Sequence, residues 1–196
     1  MENNLINKDF WDDRWINQQT GWDIGYESPA IIDYMRGEEN KNIKILIPGC
    51  GNAYEAKALI DLGFTNVTLI DISPTLVEAI QYKYKGIKQI HVKCEDFFEL
   101  DEKFDLVIEQ TFFCALDPFL RREYVTKMLD ILTDSGKIIG LMFDIQFEKQ
   151  GPPFGGSSAE YRKLFSDYFT ISKMELSDHS IAPRKGTELF VELIKK

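Results

Sequence analysis

Short apolar runs alternate along this chain with amphipathic stretches that carry turn signals at their ends. Ile43 to Ile47, Val67 to Ile70, Gln89 to Val92, Phe104 to Ile108, Lys137 to Phe143, Phe169 to Leu176 and Glu188 to Ile194 read as seven strands. Asn52 to Leu62 reads as a helix stopped by Gly63. Ser73-Pro74 opens a helix running to about Tyr84, and Asp117-Pro118 opens another running to Leu132. Asp134-Ser135-Gly136 then reads as a turn, and Ser157 to Phe165 as a helix started by serines. Strands alternating with helices predict an α/β fold with a Rossmann-like, doubly wound, mostly parallel sheet of seven strands. Only Ser177 to Thr187 joins the last two strands, which suits an antiparallel C-terminal pair and not a parallel crossover.

Upstream of residue 43 the pattern differs. Phe10, Trp11, Trp15 and Ile16 share one face of a helix, and Ser28-Pro29 starts a second that runs to about Met35. The polar run Arg36 to Asn42 reads as a loop. The expectation is one domain over residues 1–196, with an N-terminal helical region at 1–42 and the Rossmann-like core at 43–196.

Composition narrows the class. At 196 residues, 44% hydrophobic and 28% charged, the chain can bury a core without disulfides or metal. A net charge of −9 repels phosphate backbones, so nucleic acid is not an expected partner. Lys83, Lys85 and Lys88 form the densest basic group and read as a solvated helix end. Cys50, Cys94 and Cys114 are odd in number and unpaired in spacing, which argues against a disulfide framework. His91 and His179 lie far apart, so no metal site is expected. No stretch approaches a membrane span, and Met1-Glu2-Asn3-Asn4 lacks the pattern of a signal peptide. The expected setting is cytoplasmic, as a monomer or weak homodimer.

Three successive strand ends carry the candidate chemistry. Pro48-Gly49-Cys50-Gly51 follows the first strand, where glycine lets backbone turn sharply and approach a ligand. Asp71 closes the second strand and can accept hydrogen bonds from both ribose hydroxyls of an adenosine; the alternative is a helix cap. Asp96 follows the third strand, where it can accept from an adenine amino group while Phe97 covers the ring; the alternative is an acidic loop with Phe97 and Phe98 in the core. These features suit either a nicotinamide cofactor or S-adenosylmethionine. Tyr54 stands where the dinucleotide pattern Gly-x-Gly-x-x-Gly needs its third glycine, which argues against the nicotinamide.

At this point the chain resembles the thiopurine S-methyltransferase superfamily, and within it the plant-type halide and thiol methyltransferases. The resemblance runs from Phe10-Trp11-Asp12-Asp13-Arg14-Trp15 and Thr20-Gly21-Trp22 through Ile47-Pro48-Gly49-Cys50-Gly51 and Leu69-Ile70-Asp71-Ile72. It continues with Thr111-Phe112-Phe113-Cys114 and Gly151-Pro152-Pro153-Phe154, and ends at Ser180-Ile181-Ala182-Pro183-Arg184. It implies a lid of Trp11, Trp15 and Trp22 over S-adenosylmethionine, whose product is S-adenosylhomocysteine. It places Gly49 and Gly51 under the methionine part, Asp71 and Ile72 at the ribose, Asp96 and Phe97 at the adenine, and Gln110 nearby. Arg121 matches an arginine near the active site, and Phe113 and Phe154 join it as candidate catalytic residues. Without the resemblance, the tryptophans read as core and Arg121 as a surface ion pair. Two positions depart from the plant pattern: Phe154 replaces a tyrosine, and Glu109 stands where aspartate is usual.

The implied activity is methyl transfer to a small-molecule sulfur or halide nucleophile by in-line displacement. Alignment of nucleophile, methyl and sulfur supplies the rate, and an anionic nucleophile needs no obligatory base. A nicotinamide-dependent oxidoreductase and a non-catalytic binding module are the alternatives.

Overall fold

A computed structural model describes residues 6–149 and 151–196; Met1–Asn4, which entered the sequence reading, lie outside the described residues. The N-terminal region forms α1 (Lys8–Ile16) and α2 (Pro29–Arg36). The core then runs β1 (Ile45–Pro48), α3 (Tyr54–Asp61), β2 (Val67–Asp71), α4 (Pro74–Lys83), β3 (Ile90–Cys94) and β4 (Phe104–Gln110). It ends with α5 (Arg121–Ile131), β5 (Leu132–Phe143), α6 (Ser158–Phe165), β6 (Phe169–Leu176) and β7 (Glu188–Lys195).

Among the described residues seven strands form one sheet in the order β3-β2-β1-β4-β5-β7-β6. The pairs among β1 to β5 are parallel, and β7 runs antiparallel to both β5 and β6. This is the predicted doubly wound sheet with its antiparallel C-terminal strand. Side-chain alternation explains its two layers. Ile45 and Ile47 of β1, with Leu106 and Ile108 of β4, pack on the face covered by α2, α3 and α4. Leu46, Val107 and Ile138 point the other way, into the layer under α5 and α6.

Local chemistry sets the element ends. Ser73 caps α4 by accepting from the Leu76 N–H at 3.2 Å, with Pro74 at the first helical position. Gly63, at φ +91°, ends α3. The predicted turn at Asp134-Ser135-Gly136 is instead a bulge within β5. Pairing to β4 jumps from Phe104–Leu132 to Leu106–Lys137, and Ser135 takes φ +63°. The prediction for α1 also needs correction, because Ile16 is 59% exposed and only Phe10, Trp11 and Trp15 turn inward. Among the described residues, no helix is long and apolar enough to cross a membrane.

The sheet's tightest point lies between β4 and β5. A Cβ on Gly140 would sit 1.9 Å from the Glu109 carbonyl oxygen, so any side chain there forces the two central strands apart. Gly140→Ala should therefore cost about 3 kcal/mol or more, read as a fall in the urea midpoint. A loss under about 1 kcal/mol would show that the strands can separate cheaply there.

Candidate active site

The strand order reverses between β1 and β4, and a cavity of about 1010 Å³ opens there, at the carboxyl ends of β1 to β4. Its floor is the loop after β1. Gly49, Gly51 and Ala53 take φ of +54°, +50° and +49°, so the chain leaves β1 in alternating left-handed steps. At Gly49 the constraint is also steric: a Cβ would lie 2.4 Å from Cδ2 of Phe112. The loop from β1 and the turn from β4 thus meet with no room for a side chain.

Asp71 projects from the end of β2. Its carboxylate accepts from the Ser73 N–H at 3.0 Å and the Gly51 N–H at 3.4 Å. Because Ser73 caps α4, the capping alternative for Asp71 falls away. Burial pushes its carboxyl up, against the pull of those N–H donors. Asp96 accepts from the Phe98 N–H at 2.9 Å and faces the cavity. Phe97 lines the cavity and also packs at 4% exposure against Phe112 and Tyr124.

The wall opposite is the N-terminal region. Trp11, Trp15 and Trp22 are half-buried, line the cavity and meet edge-to-face, Trp22 lying 5.4 Å from Trp11 and 5.8 Å from Trp15. Three polar ties hold them over the loop. Asp12 accepts from the Ser73 hydroxyl at 2.6 Å and the Thr75 N–H at 3.0 Å. The Ser73 hydroxyl chiefly lowers the Asp12 pKa. Asp23 accepts from the Asn52 amide and from the Tyr54 hydroxyl at 3.2 Å. Arg184 donates to the Trp22 carbonyl at 2.9 Å and to Glu188 at 3.3 Å. Tyr54, at the position of the missing third glycine, therefore reaches out to this cover.

All ten residues proposed for the cofactor side line this one cavity: Trp11, Trp15, Trp22, Gly49, Gly51, Asp71, Ile72, Asp96, Phe97 and Gln110. Arg121, Phe113 and Phe154 do not line it. Arg121 is buried behind the wall, where it donates to Glu160 of α6 and to the Gly155 carbonyl at 2.7 Å, with its guanidinium 4.9 Å from the Phe113 ring centroid. Phe113 sits at 1% exposure among Tyr124, Tyr161 and Phe165. Phe154 is half-buried and tied by its N–H to the Cys114 carbonyl at 2.6 Å. Two residues that had no role in the sequence reading take part instead. Arg184 brings a cation to the cavity, and Thr111 lines it in a left-handed conformation, φ +62°, that costs a β-branched residue about 1–3 kcal/mol. The Pro183-Arg184-Lys185-Gly186 stretch before β7 was the available signal for Arg184.

The cavity suits the adenosylated cofactor. Asp23, Glu55, Asp71 and Asp96 give part of the wall acidic character, matching a ligand with a sulfonium and an ammonium against one carboxylate. Gln110 Oε1 is buried without a protein partner, which leaves an acceptor unused in the wall.

Fold and site together define an S-adenosylmethionine-dependent methyltransferase. The chain belongs to the thiopurine S-methyltransferase family, whose profile matches residues 6–195. It is 34% identical over 184 residues to a probable thiol methyltransferase 2 of Arabidopsis thaliana, covering 91% of this chain and 81% of that one. It is 24% identical over 209 residues to a thiopurine S-methyltransferase of Vibrio atlanticus, covering 96% of each. In fold it is similar to the magnesium protoporphyrin IX methyltransferase of Synechocystis PCC 6803, solved with bound S-adenosylhomocysteine. The TM-score is 0.70 at 17% identity, covering 95% of this chain and 86% of that one.

One buried acid behind the wall titrates unusually. Glu109 is fully buried, and burial pushes its carboxyl from the ordinary 4.5 up to about 7. Between those values the unfolded chain has released this proton while the folded chain keeps it, so stability falls as pH rises, by on the order of 3 kcal/mol across the window. Glu109→Gln has no such proton. Its stability relative to the wild type should rise from pH 4.5 to pH 7, by urea melts at fixed ionic strength. A pH-independent difference would place the titration outside this range.

Proposed function

We propose that this methyltransferase acts on a small thiol, as the thiolate, with thiocyanate and halides as secondary acceptors. The observation that carries the reading is the character of the rest of the wall. Phe112, Phe143, Phe147, Pro152 and Pro153 are apolar, and Arg184 lies in the same wall. A polarisable anion finds there an apolar surface beside the Arg184 cation, with Lys8 and Arg14 elsewhere in the lining. No histidine is among the residues lining the cavity, which suits a nucleophile that arrives ionised. The 34% identity to a probable thiol methyltransferase supports the same choice.

The residues divide the work as follows. Asp71 accepts from the ribose hydroxyls and Asp96 from the adenine amino group. Gly49 and Gly51 let the methionine part approach the backbone. Trp11, Trp15 and Trp22 cover the site, their ring faces suiting a sulfonium, so α1 and the segment through Trp22 serve as a lid, while α2 packs into the core layer over the sheet. When bound, the cofactor supplies a methyl group activated by positive sulfur. The chain supplies alignment of the acceptor with that group and exclusion of water. Arg184 draws the anion in and keeps the lid closed through Trp22. Arg121 acts at one remove, by bracing the Pro152–Gly155 segment against α6.

Three measurements test this. Calorimetry should find S-adenosylhomocysteine binding, weakened by about 1–3 kcal/mol in Asp71→Ala through loss of a charged hydrogen bond. Equal affinities would remove Asp71 from the cofactor site. A screen of organic thiols, hydrosulfide, thiocyanate, iodide and a thiopurine, reading S-adenosylhomocysteine release, should give the highest kcat/KM with a thiol. Turnover confined to oxygen or nitrogen acceptors would overturn the proposal. Arg184→Ala should raise KM for the anionic acceptor about tenfold or more.

A further inference from the structure

Glu109 is the last residue but one of β4, and its side chain points into the layer under α5. One carboxylate oxygen accepts from two backbone N–H groups, those of Phe112 and Phe113, each at 2.9 Å. The other accepts from the Tyr124 hydroxyl of α5 at 2.9 Å. These three bonds reach across a turn of unusual shape. Thr111 stands at φ +62°, a conformation that branching at Cβ disfavours. Its hydroxyl donates to the Gln110 carbonyl at 2.6 Å, a bond within the turn that ties it to nothing else. The short helical turn that follows, Phe113–Ala115, has no side-chain cap from its own N-cap residue, Phe112. The Glu109 carboxylate supplies that cap from inside the protein.

What the turn presents is the site itself. Gln110 and Thr111 line the cavity, with Gln110 Oε1 buried and without a protein partner. Phe112 lies against Gly49, in the space a Cβ would need. A shift of this turn would move the wall beside the cofactor and uncover the glycine loop together. An acid that is fully buried and faces only neutral donors is costly, and a leucine of similar volume would pack there without that penalty.

We propose that Glu109 is a positioning residue: its buried carboxylate holds the strained Gln110-Thr111-Phe112 turn that aims Gln110 into the cavity and seats Phe112 on Gly49. The inference rests on the methyl-donor site proposed above for its consequence, though not for its geometry. It adds to the cofactor contacts a group that touches no ligand and sets the shape of the surface that does.

The test uses the full chain and two readouts. In the wild type without ligand, hydrogen exchange at the Phe112 and Phe113 amides should be at least about tenfold slower than in Glu109→Leu. S-adenosylhomocysteine should bind Glu109→Leu at least about tenfold more weakly, after correction for the folded fraction. Glu109→Gln keeps an acceptor oxygen for both amides and should recover affinity to within about threefold of the wild type. Thr111→Gly introduced into Glu109→Leu should recover much of the loss, because glycine takes the left-handed turn without help. A purely packing role predicts otherwise: Glu109→Leu would bind normally once folded, and Thr111→Gly would not rescue it. Either result overturns the proposal. If Glu109→Leu does not fold, Phe112 and Phe113 amides that exchange in the wild type as freely as exposed loop amides overturn it alone. If the wild type fails to bind S-adenosylhomocysteine, the functional reading fails, while the exchange rates still decide whether Glu109 holds the turn.

Discussion

The contact between Gly49 and Phe112 is the constraint on which the rest of the site depends. Two central strands, β1 and β4, end side by side where the sheet changes direction, and their continuations must diverge to leave a cavity. They diverge only after touching, because Phe112 occupies the space where Gly49 has no side chain. The glycine loop is thereby fixed to the turn from β4. On one side the backbone is free to approach a ligand; on the other, aromatic packing runs from Phe112 through Phe97 and Tyr124 into the core beneath α5. The floor of the site is stiff because it is continuous with the hydrophobic layer.

The cover is built differently. No residue of α1 is fully buried, and of its side chains Trp15 alone packs against the core layer. The helix is held by side chains that satisfy polar groups of the sheet's own loops. Asp12 supplies acceptors at the start of α4, where unpaired N–H groups attract an anion. Asp23 receives the amide and hydroxyl of Asn52 and Tyr54, and Arg184 spans from Glu188 to the Trp22 carbonyl. Each tie starts beside the ligand cavity, so the cover and its contents share an anchor. A hydrophobic floor with a polar-latched cover lets a ligand be enclosed without disturbing the fold that holds it.

The elements were legible because each strand is short, β-branched and bounded by turn residues, and because serines and prolines mark the helix starts. Errors arose where a local signal had a nonlocal answer. Asp134-Ser135-Gly136 has turn composition, yet β4 pairs with the chain on either side of it, at Leu132 and again from Lys137, so the extra residues are taken up as a bulge within β5. Ile16 was read on the helical stripe of Phe10, Trp11 and Trp15, but it ends up exposed and outside the cavity lining. Arg121 is the clearest case. Its position in the sequence marks it as near the site, and it is near; its guanidinium, however, is taken by Glu160 and the Gly155 carbonyl. Nothing in the local sequence shows that α6 will present a carboxylate there.

By itself the sequence determined the order of strands and helices, the glycine loop, and the acids at the ends of β2 and β3. These depend on residues within a few positions of one another, where sterics and hydrogen-bonding propensity act directly. Only the tertiary structure decided which aromatic rings reach the cavity: Phe112 lines it while also touching the layer under α5, whereas its neighbour Phe113 lies wholly within that layer. It also brought Arg184 to the carbonyl of Trp22, 162 residues earlier, and it turned Glu109 from a strand residue into the support of the turn beside it. Those outcomes rest on contacts between distant segments, and they form only when the sheet has closed its two layers.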